Sequence, residues 1–232
     1  MNYENPFVTA AEADADERQT FIRRTYLHLA MAILSFVVLE AVLLQVPGVD
    51  GLVDTMIGHW WAVLLAFIAV SWVADKWARS EVGQGMQYFG LGLYIVAEAV
   101  IFVPLLHVVM YRVGDPAIIP MAGIITGLLF VGLTATAFMT GVNFSFLRGA
   151  LAIGGMVAMG VIICSMLFGF SLGIVFSAAM VLFAGGSILY TTSNIIHEYR
   201  TDQYVAASLA LFSGVMLLLW YVIRILMAAR KD

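Results

Sequence analysis

The sequence has little charge and a single cysteine. Only 11% of its 232 residues are Asp, Glu, Lys or Arg, against about a quarter in an ordinary soluble domain. A water-soluble globule needs more charge to cover its surface, so the composition excludes a soluble enzyme and a disordered chain. Cys164 has no second cysteine to pair with, which excludes a disulfide scaffold and a cysteine-based metal site.

A basic patch is also missing. The eleven Lys and Arg residues are scattered and the net charge is −4, so nothing in the sequence suggests a nucleic-acid partner. Residues 1–20 are polar and acidic and lack the apolar stretch of a signal peptide. They are predicted to form a polar N-terminal tail, either mobile or acting as a docking peptide for a partner.

Apolar residues are abundant instead. They make up 62% of the chain, and the mean hydropathy is +0.98. Seven runs are long enough for a helix to cross the hydrocarbon core of a membrane. These runs are 25–46, 60–78, 86–107, 117–139, 149–169, 173–196 and 204–227. The runs are continuous and do not alternate, so they predict helices and not the strands of a barrel. We therefore expect an all-α integral membrane protein, with residues 21–232 as one seven-helix domain in the lipid bilayer.

Basic residues in the connections predict the orientation. With the N-terminus in the cytoplasm, seven Lys and Arg residues lie at the cytoplasmic ends of the spans and four at the outer ends. The connection after the first span contains two Asp residues and no basic residue, which agrees. The N-terminus is therefore predicted to be cytoplasmic and the C-terminus to lie outside.

Glu98 lies near the middle of the third predicted span. A charged carboxylate at this depth costs at least a few kcal/mol, so Glu98 should be protonated, paired or exposed to water. One interpretation is a cation or proton path. The others are a neutral glutamic acid that hydrogen-bonds a neighbouring helix, and a side chain that extends toward the membrane surface.

A polar stripe marks the sixth predicted span. It consists of Ser187, Thr191, Asn194 and Glu198, whose spacings of four, three and four put them on one helix face. The seventh span offers small residues, including Ser213 and Gly214. A polar stripe against small residues either packs two helices through hydroxyl bonds or lines a cavity or closed pore.

The residue patterns of membrane enzymes are not found. The run around Ser213 lacks the first Gly of a Gly-x-Ser-Gly turn, and Asp75 has no second Asp facing it on an adjacent span. The four histidines fall on different segments, and no two of them have the i, i+4 spacing of a helical metal site. The sequence therefore predicts no catalytic activity, no cofactor and no metal site.

Four stretches resemble the Bax inhibitor-1 family, most closely its bacterial YccA-type branch. The most specific is GSILYTTSNIIH at 186–197, followed by YVAASLALF at 204–212. FIRRTYLHLA at 21–30 is similar to the start of the family's first helix, and NFSFLRG at 143–149 fits a family pattern loosely. The resemblance implies a seven-helix bundle in the bacterial cytoplasmic (inner) membrane, with the last helix in the centre.

The family implies two activities. One is a pH-sensitive leak of calcium, and the other is binding and restraint of a membrane-anchored AAA+ protease of the FtsH type. Leak-type relatives carry a pair of acids at positions that correspond to Thr191 and Gly214, or to Ser213 if the loop shifts the register by one residue. Because none of these residues ionises, the expected function is a non-enzymatic regulator that binds such a protease in membrane-protein quality control or stress response. The alternative is a pH-sensitive leak for calcium or protons.

Overall fold

The computed structural model describes residues 8–80 and 83–230. Within them the chain forms eight α-helices, namely α1 (Ala15–Leu43), α2 (Val49–Gly58), α3 (Trp60–Ala78), α4 (Gln84–His107), α5 (Ile118–Thr140), α6 (Leu147–Phe168), α7 (Ile174–His197) and α8 (Tyr204–Ala229). A π-helical turn, Val108–Val113, continues α4. All helices except α2 are long and apolar enough to cross a membrane, which confirms the seven predicted spans.

The connections between spans are short. α6 and α7 are separated by residues 169–173, and Gly169 ends α6 with a left-handed backbone (φ +71°). This conformation costs a glycine nothing and lets the chain reverse at once. α6 and α7 therefore form a tight hairpin. We call the end of the bundle where α1 begins the inner end and the opposite end the outer end, following the predicted orientation.

The connection between the first two spans contains a helix that the sequence did not predict. α2 buries Val53 and Met56, which lie three residues apart and so on one face. Asp50 accepts a hydrogen bond of 2.6 Å from His107 Nε2 at the outer end of α4. The two apolar side chains and this polar contact hold α2 across the outer end of the bundle.

The N-terminal segment is folded where the structure describes it. α1 begins at Ala15, inside the range predicted as a tail. Ala10 is fully buried, and its backbone N–H donates to the Tyr199 carbonyl oxygen at 2.8 Å. Glu17 accepts a hydrogen bond from the Thr201 hydroxyl. Residues 8–20 therefore contact the loop between α7 and α8, and residues 15–20 belong to α1 although the sequence places them in the tail. Residues 1–7 lie outside the described residues.

α8 forms the centre of the bundle. It packs against α1, α3, α4, α5 and α7, and Leu211, Phe212 and Ile223 are fully buried. Phe36 of α1 meets the Phe212 ring edge-on at a centroid distance of 6.2 Å, a favourable aromatic geometry. The central position expected for the last helix is confirmed.

The outer helices form two groups around α8. α4 packs against both α1 and α3, and α7 packs against both α5 and α6. α3 of the first group and α6 of the second line the same two cavities but do not pack extensively against each other. We call the space between them the α3–α6 seam, and both large cavities described below lie along it.

α3 and α4 approach each other most closely at Gly90. A Cβ atom placed there would lie 2.6 Å from the Ala74 carbonyl oxygen and 2.6 Å from the Ala78 nitrogen. Both atoms belong to the backbone of α3, which cannot move without moving the helix. Gly90 is therefore required for this contact.

Candidate functional site

A small polar cluster lies in the middle of the bundle. Tyr94 and Glu98 are one turn apart on α4, and both are buried. The Tyr94 hydroxyl donates a hydrogen bond of 2.8 Å to Ser213 Oγ on α8, and the Glu98 carboxyl contacts the same tyrosine. The polar neighbour of Glu98 is thus on its own helix, and Tyr94 connects it to α8. Tyr94 is absent from the predicted site residues, although its place one turn before Glu98 is a signal that the sequence contains.

An outer cavity of about 550 Å³ lies on one side of this cluster. Its walls come from α3, α4, α6, α7 and α8 and are mostly apolar and aromatic. Tyr94, Glu98 and Ser213 line it near the middle of the bundle, and Arg224 lines it near the outer end. A cavity of this size and composition is typical of a site for an apolar or amphiphilic molecule.

An inner cavity of about 540 Å³ lies on the other side. Its lining is more polar and includes Asp75, Arg79, Arg148, Ser187, Tyr190 and Thr191. Tyr94 and Ser213 line this cavity as well as the outer one. The hydrogen bond between these two residues therefore lies where the cavities meet.

The predicted polar stripe of α7 divides into two parts. Ser187 and Thr191 line the inner cavity. Asn194 is half-buried, and its Oδ1 has no hydrogen-bond partner among the described residues. Glu198 follows the last residue of α7 and is exposed. The structure thus brings two of the four stripe residues to a cavity.

The neighbouring residues Ser213 and Gly214 face different surroundings. Ser213 is half-buried and lines both cavities. Gly214 is buried against α7, where a Cβ atom would lie 3.1 Å from Ile188 Cγ1. Two positions could correspond to the second acid of leak-type relatives, and of these Ser213 is the one that faces the cavities.

The TSNIIH run, residues 192–197, connects α7 to the turn between α5 and α6 at the inner end of the bundle. The fully buried Ser193 accepts a hydrogen bond of 2.9 Å from the Phe144 backbone N–H and donates one of 3.5 Å to the Val142 carbonyl oxygen. His197 Nδ1 donates to the Ser193 carbonyl oxygen at 2.9 Å. The most specific stretch of the sequence thus fixes the turn between α5 and α6.

An acidic rim surrounds part of the inner end. It consists of exposed residues of the N-terminal segment and of the loop between α7 and α8, namely Glu12, Asp14, Asp16, Glu17 and Glu198. Asp202, also exposed, is paired with Arg200 at 2.9 Å. The Ala10–Tyr199 and Glu17–Thr201 hydrogen bonds join the two segments. The rim is therefore an ordered surface.

A chain of contacts leads from this rim to the inner cavity. The Tyr199 carbonyl oxygen accepts from Ala10, and the Tyr199 side chain hydrogen-bonds Arg79. Arg79 Nε forms an ion pair of 2.9 Å with Asp75 Oδ1. Burial raises the pKa of the Tyr199 phenol above its ordinary value, and the nearby Arg79 guanidinium opposes this. The phenol therefore stays neutral, and its oxygen accepts the hydrogen bond from the Arg79 guanidinium.

No metal site is visible in residues 8–80 and 83–230, since no three His, Cys, Asp or Glu side chains come together there. The four histidines lie in different places, as their spacing suggests. His28, for example, hydrogen-bonds the Tyr88 hydroxyl at 3.0 Å near the inner end. The described part of the chain thus offers cavities and surfaces for binding.

The sequence is similar to a protein family and to several bacterial proteins. A family model described as "Inhibitor of apoptosis-promoting Bax1" matches residues 18–231. The "Modulator of FtsH protease YccA" of Escherichia coli K12 is 26% identical over 217 residues, which cover 91% of each chain. The "Inner membrane protein YccA" of Escherichia coli O6:H1 matches equally well.

A third relative matches over a shorter region. An uncharacterized protein of Pseudomonas aeruginosa is 34% identical over 113 residues, which cover 48% of this chain and 50% of that protein. The aligned region thus spans about half the length of that relative. No solved structure matches the chain.

Proposed function

The chain belongs to the Bax inhibitor-1 family, and from this we propose that it is a non-enzymatic regulator that binds a membrane-anchored AAA+ protease of the FtsH type. It is a multi-pass protein of the inner membrane. The relative that it matches over 91% of both chains is named as a modulator of the FtsH protease. Restraint of this protease would place the chain in membrane-protein quality control.

The acidic rim is the observation that carries this proposal. In the predicted orientation it faces the cytoplasm, where a protease driven by ATP unfolds its substrates. The exposed carboxylates lie on a surface that is already ordered, so binding would cost little conformational entropy. Charge complementarity with a basic surface would speed the encounter and select the partner.

The middle of the bundle supports a binding role over conduction. The described residues place two acids, Asp75 and Glu98, in different cavities on either side of the Tyr94–Ser213 hydrogen bond. Gly214 packs against Ile188 and supplies no ionisable group. A path for a divalent cation prefers several oxygen ligands that lie close together.

Reversing charge on the rim is expected to weaken protease binding. We expect the double variant Asp14→Lys, Asp16→Lys to bind the protease about tenfold less tightly at low salt, with a smaller difference at high salt. Both side chains are exposed at the start of α1, where each lysine should cost about 0.3–1 kcal/mol through the helix dipole, and the unfolding temperature of the variant checks that the fold is kept. The assay is titration of the full chain against the Escherichia coli FtsH protease in lipid nanodiscs, together with the rate at which that protease degrades a membrane substrate.

The matched control keeps the charge at the same positions. Asp14→Glu, Asp16→Glu should bind and restrain the protease like the unchanged chain. Equal affinity of the lysine and glutamate variants would show that the rim is not the docking surface. If the unchanged chain neither binds nor slows the protease, the proposed function itself is wrong.

A second candidate function is a pH-sensitive leak for calcium or protons. Its supporting observation is that the two cavities meet at Tyr94 and Ser213, with Asp75 in the inner cavity and Glu98 in the outer one. Breaking the Tyr94–Ser213 hydrogen bond would join the cavities. Glu98 could then offer a carboxylate to a passing cation or carry a proton.

Substitution of Glu98 tests the leak. In proteoliposomes loaded with a calcium dye or a pH dye, we expect a flux that varies between about pH 5 and 8 and that Glu98→Gln largely abolishes. The control is Glu40→Gln, since Glu40 is also a buried glutamate but lines neither cavity. A flux no greater than that of empty liposomes, or equal fluxes from both variants, would remove this candidate.

A further inference from the structure

Arg224 is unusual among the arginines near the outer end of the bundle. Arg112 pairs with Asp54 at 2.5 Å, and Arg230 pairs with Asp115 at 2.8 Å. Arg224 is half-buried and donates one hydrogen bond of 3.1 Å to the Leu172 carbonyl oxygen, with no carboxylate partner among the described residues. A guanidinium has five N–H donors, so this one has donors and a positive charge left for an anionic group.

The outer cavity that Arg224 lines opens sideways toward lipid. Its opposite walls come from α3 and α6, which do not pack extensively against each other. Ile68 of α3 lines the cavity and is still 40% exposed. Ala158 is the one buried residue of α6. The cavity is therefore continuous with the surroundings of the bundle along the α3–α6 seam.

The lining of the cavity favours an apolar chain. Leu64, Ile162 and Leu217 are among the aliphatic residues that face it, and Trp60 and Trp220 stack near its outer end at a centroid distance of 5.9 Å. Water occupies a cavity only where several polar partners hold it. In a bilayer the apolar material next to an open seam is the acyl chain of a lipid. Trp60 is the first residue of α3, and a tryptophan at a span end marks the level of the headgroups.

We propose that the outer cavity binds one acyl chain of an anionic amphiphile from the outer leaflet, and that Arg224 binds its anionic group. The α3–α6 seam admits the chain. A phosphate or carboxylate at the headgroup level receives the free donors of the guanidinium, a favourable charge-assisted contact. The anion belongs either to a phospholipid phosphate or to a free fatty acid, and both present this chemistry.

Native mass spectrometry of the full chain in mild detergent tests the proposal. The probes are phosphatidylglycerol, oleate and, as a lipid without net charge, phosphatidylcholine. We expect a complex of one probe per chain with phosphatidylglycerol or oleate and little with phosphatidylcholine. A complex with phosphatidylglycerol alone identifies a phospholipid, and one with oleate alone identifies a fatty acid. If neither anionic probe binds better than phosphatidylcholine, the proposal is wrong.

Two pairs of variants locate the site. Arg224→Gln should lower the occupancy of the anionic probe about tenfold, whereas Arg230→Gln, which removes a paired arginine at the same end, should not. Ile162→Trp fills the cavity and should also displace the probe. Ile163→Trp places the same ring on the exposed face of α6 and should leave binding unchanged. Equal binding by all four variants, each with an unchanged unfolding temperature, would overturn the assignment.

Discussion

Replacing Gly90 with alanine is expected to lower the free energy of unfolding by about 3 kcal/mol. The added methyl group would lie 2.6 Å from two backbone atoms of α3, the Ala74 carbonyl oxygen and the Ala78 nitrogen. A helix backbone cannot rotate away as a side chain can, so α3 and α4 must separate. This separation opens gaps along one of the most extensive helix contacts in the bundle. Thermal unfolding of the purified chain in detergent measures the loss, for which we expect a decrease of roughly 6–12 °C.

Gly92→Ala is the matched control for this prediction. Gly92 lies on the same helix, is exposed and has no atom within 4 Å of the position of a new Cβ. Alanine is the better helix former by about 1 kcal/mol, so this variant should be as stable as the unchanged chain or more so. If Gly90→Ala unfolds at the same temperature as Gly92→Ala, the helices are not in the close contact that the structure shows.

Placing an aspartate at Gly214 and at Ser213 is expected to give opposite results. At Gly214 the new side chain would be forced against Ile188, in a buried place without a polar partner. A carboxyl group there should cost roughly 3 kcal/mol or more. At Ser213 it would face both cavities, next to the Tyr94 hydroxyl, so it could keep a hydrogen bond and reach water. We expect Gly214→Asp to be lost from the membrane fraction or to unfold early, and Ser213→Asp to accumulate.

The comparison also tests which residue occupies the position of the missing acid. Yield from membranes and the unfolding temperature are measured for both variants, with Ser213→Asn as an uncharged control of similar size. Calcium flux through Ser213→Asp then shows whether one added carboxylate is enough for conduction. A stable Gly214→Asp together with an unstable Ser213→Asp would mean that α8 is rotated relative to the orientation described above.

The sequence predicts the spans well because a membrane-spanning helix has a simple requirement. About 20 apolar residues in succession are sufficient, and each of the seven runs meets it. α2 is harder to predict, since Val53 and Met56 in a short polar stretch become a buried face only when the outer end of α4 is beside them. The folded start of the chain depends likewise on a partner distant in sequence, the loop that contains Tyr199.

The candidate site is only partly predictable for the same reason. Glu98 can be predicted as a site residue because a carboxylate is costly in a membrane. A tyrosine carries no such cost, so the sequence does not identify Tyr94 as part of the site. The spacing of polar residues in α7 correctly predicts that Ser187 and Thr191 lie on a face that lines a cavity. It does not predict that the cavity ends before Asn194. Whether Ser213 or Gly214 faces the cavities depends on the rotation of α8, which two neighbouring small residues do not define.

The central place of α8 has a consequence for biosynthesis. A ribosome delivers this helix after the other six spans, yet it supplies the axis on which α1, α4, α5 and α7 pack. Helices insert into a bilayer independently before they associate side by side. The six earlier spans are therefore already in the lipid before α8 is available for them to pack against. The bundle can therefore complete its packing only after translation has ended. A chain truncated before Tyr204 should fail to pack and should be degraded by the cell.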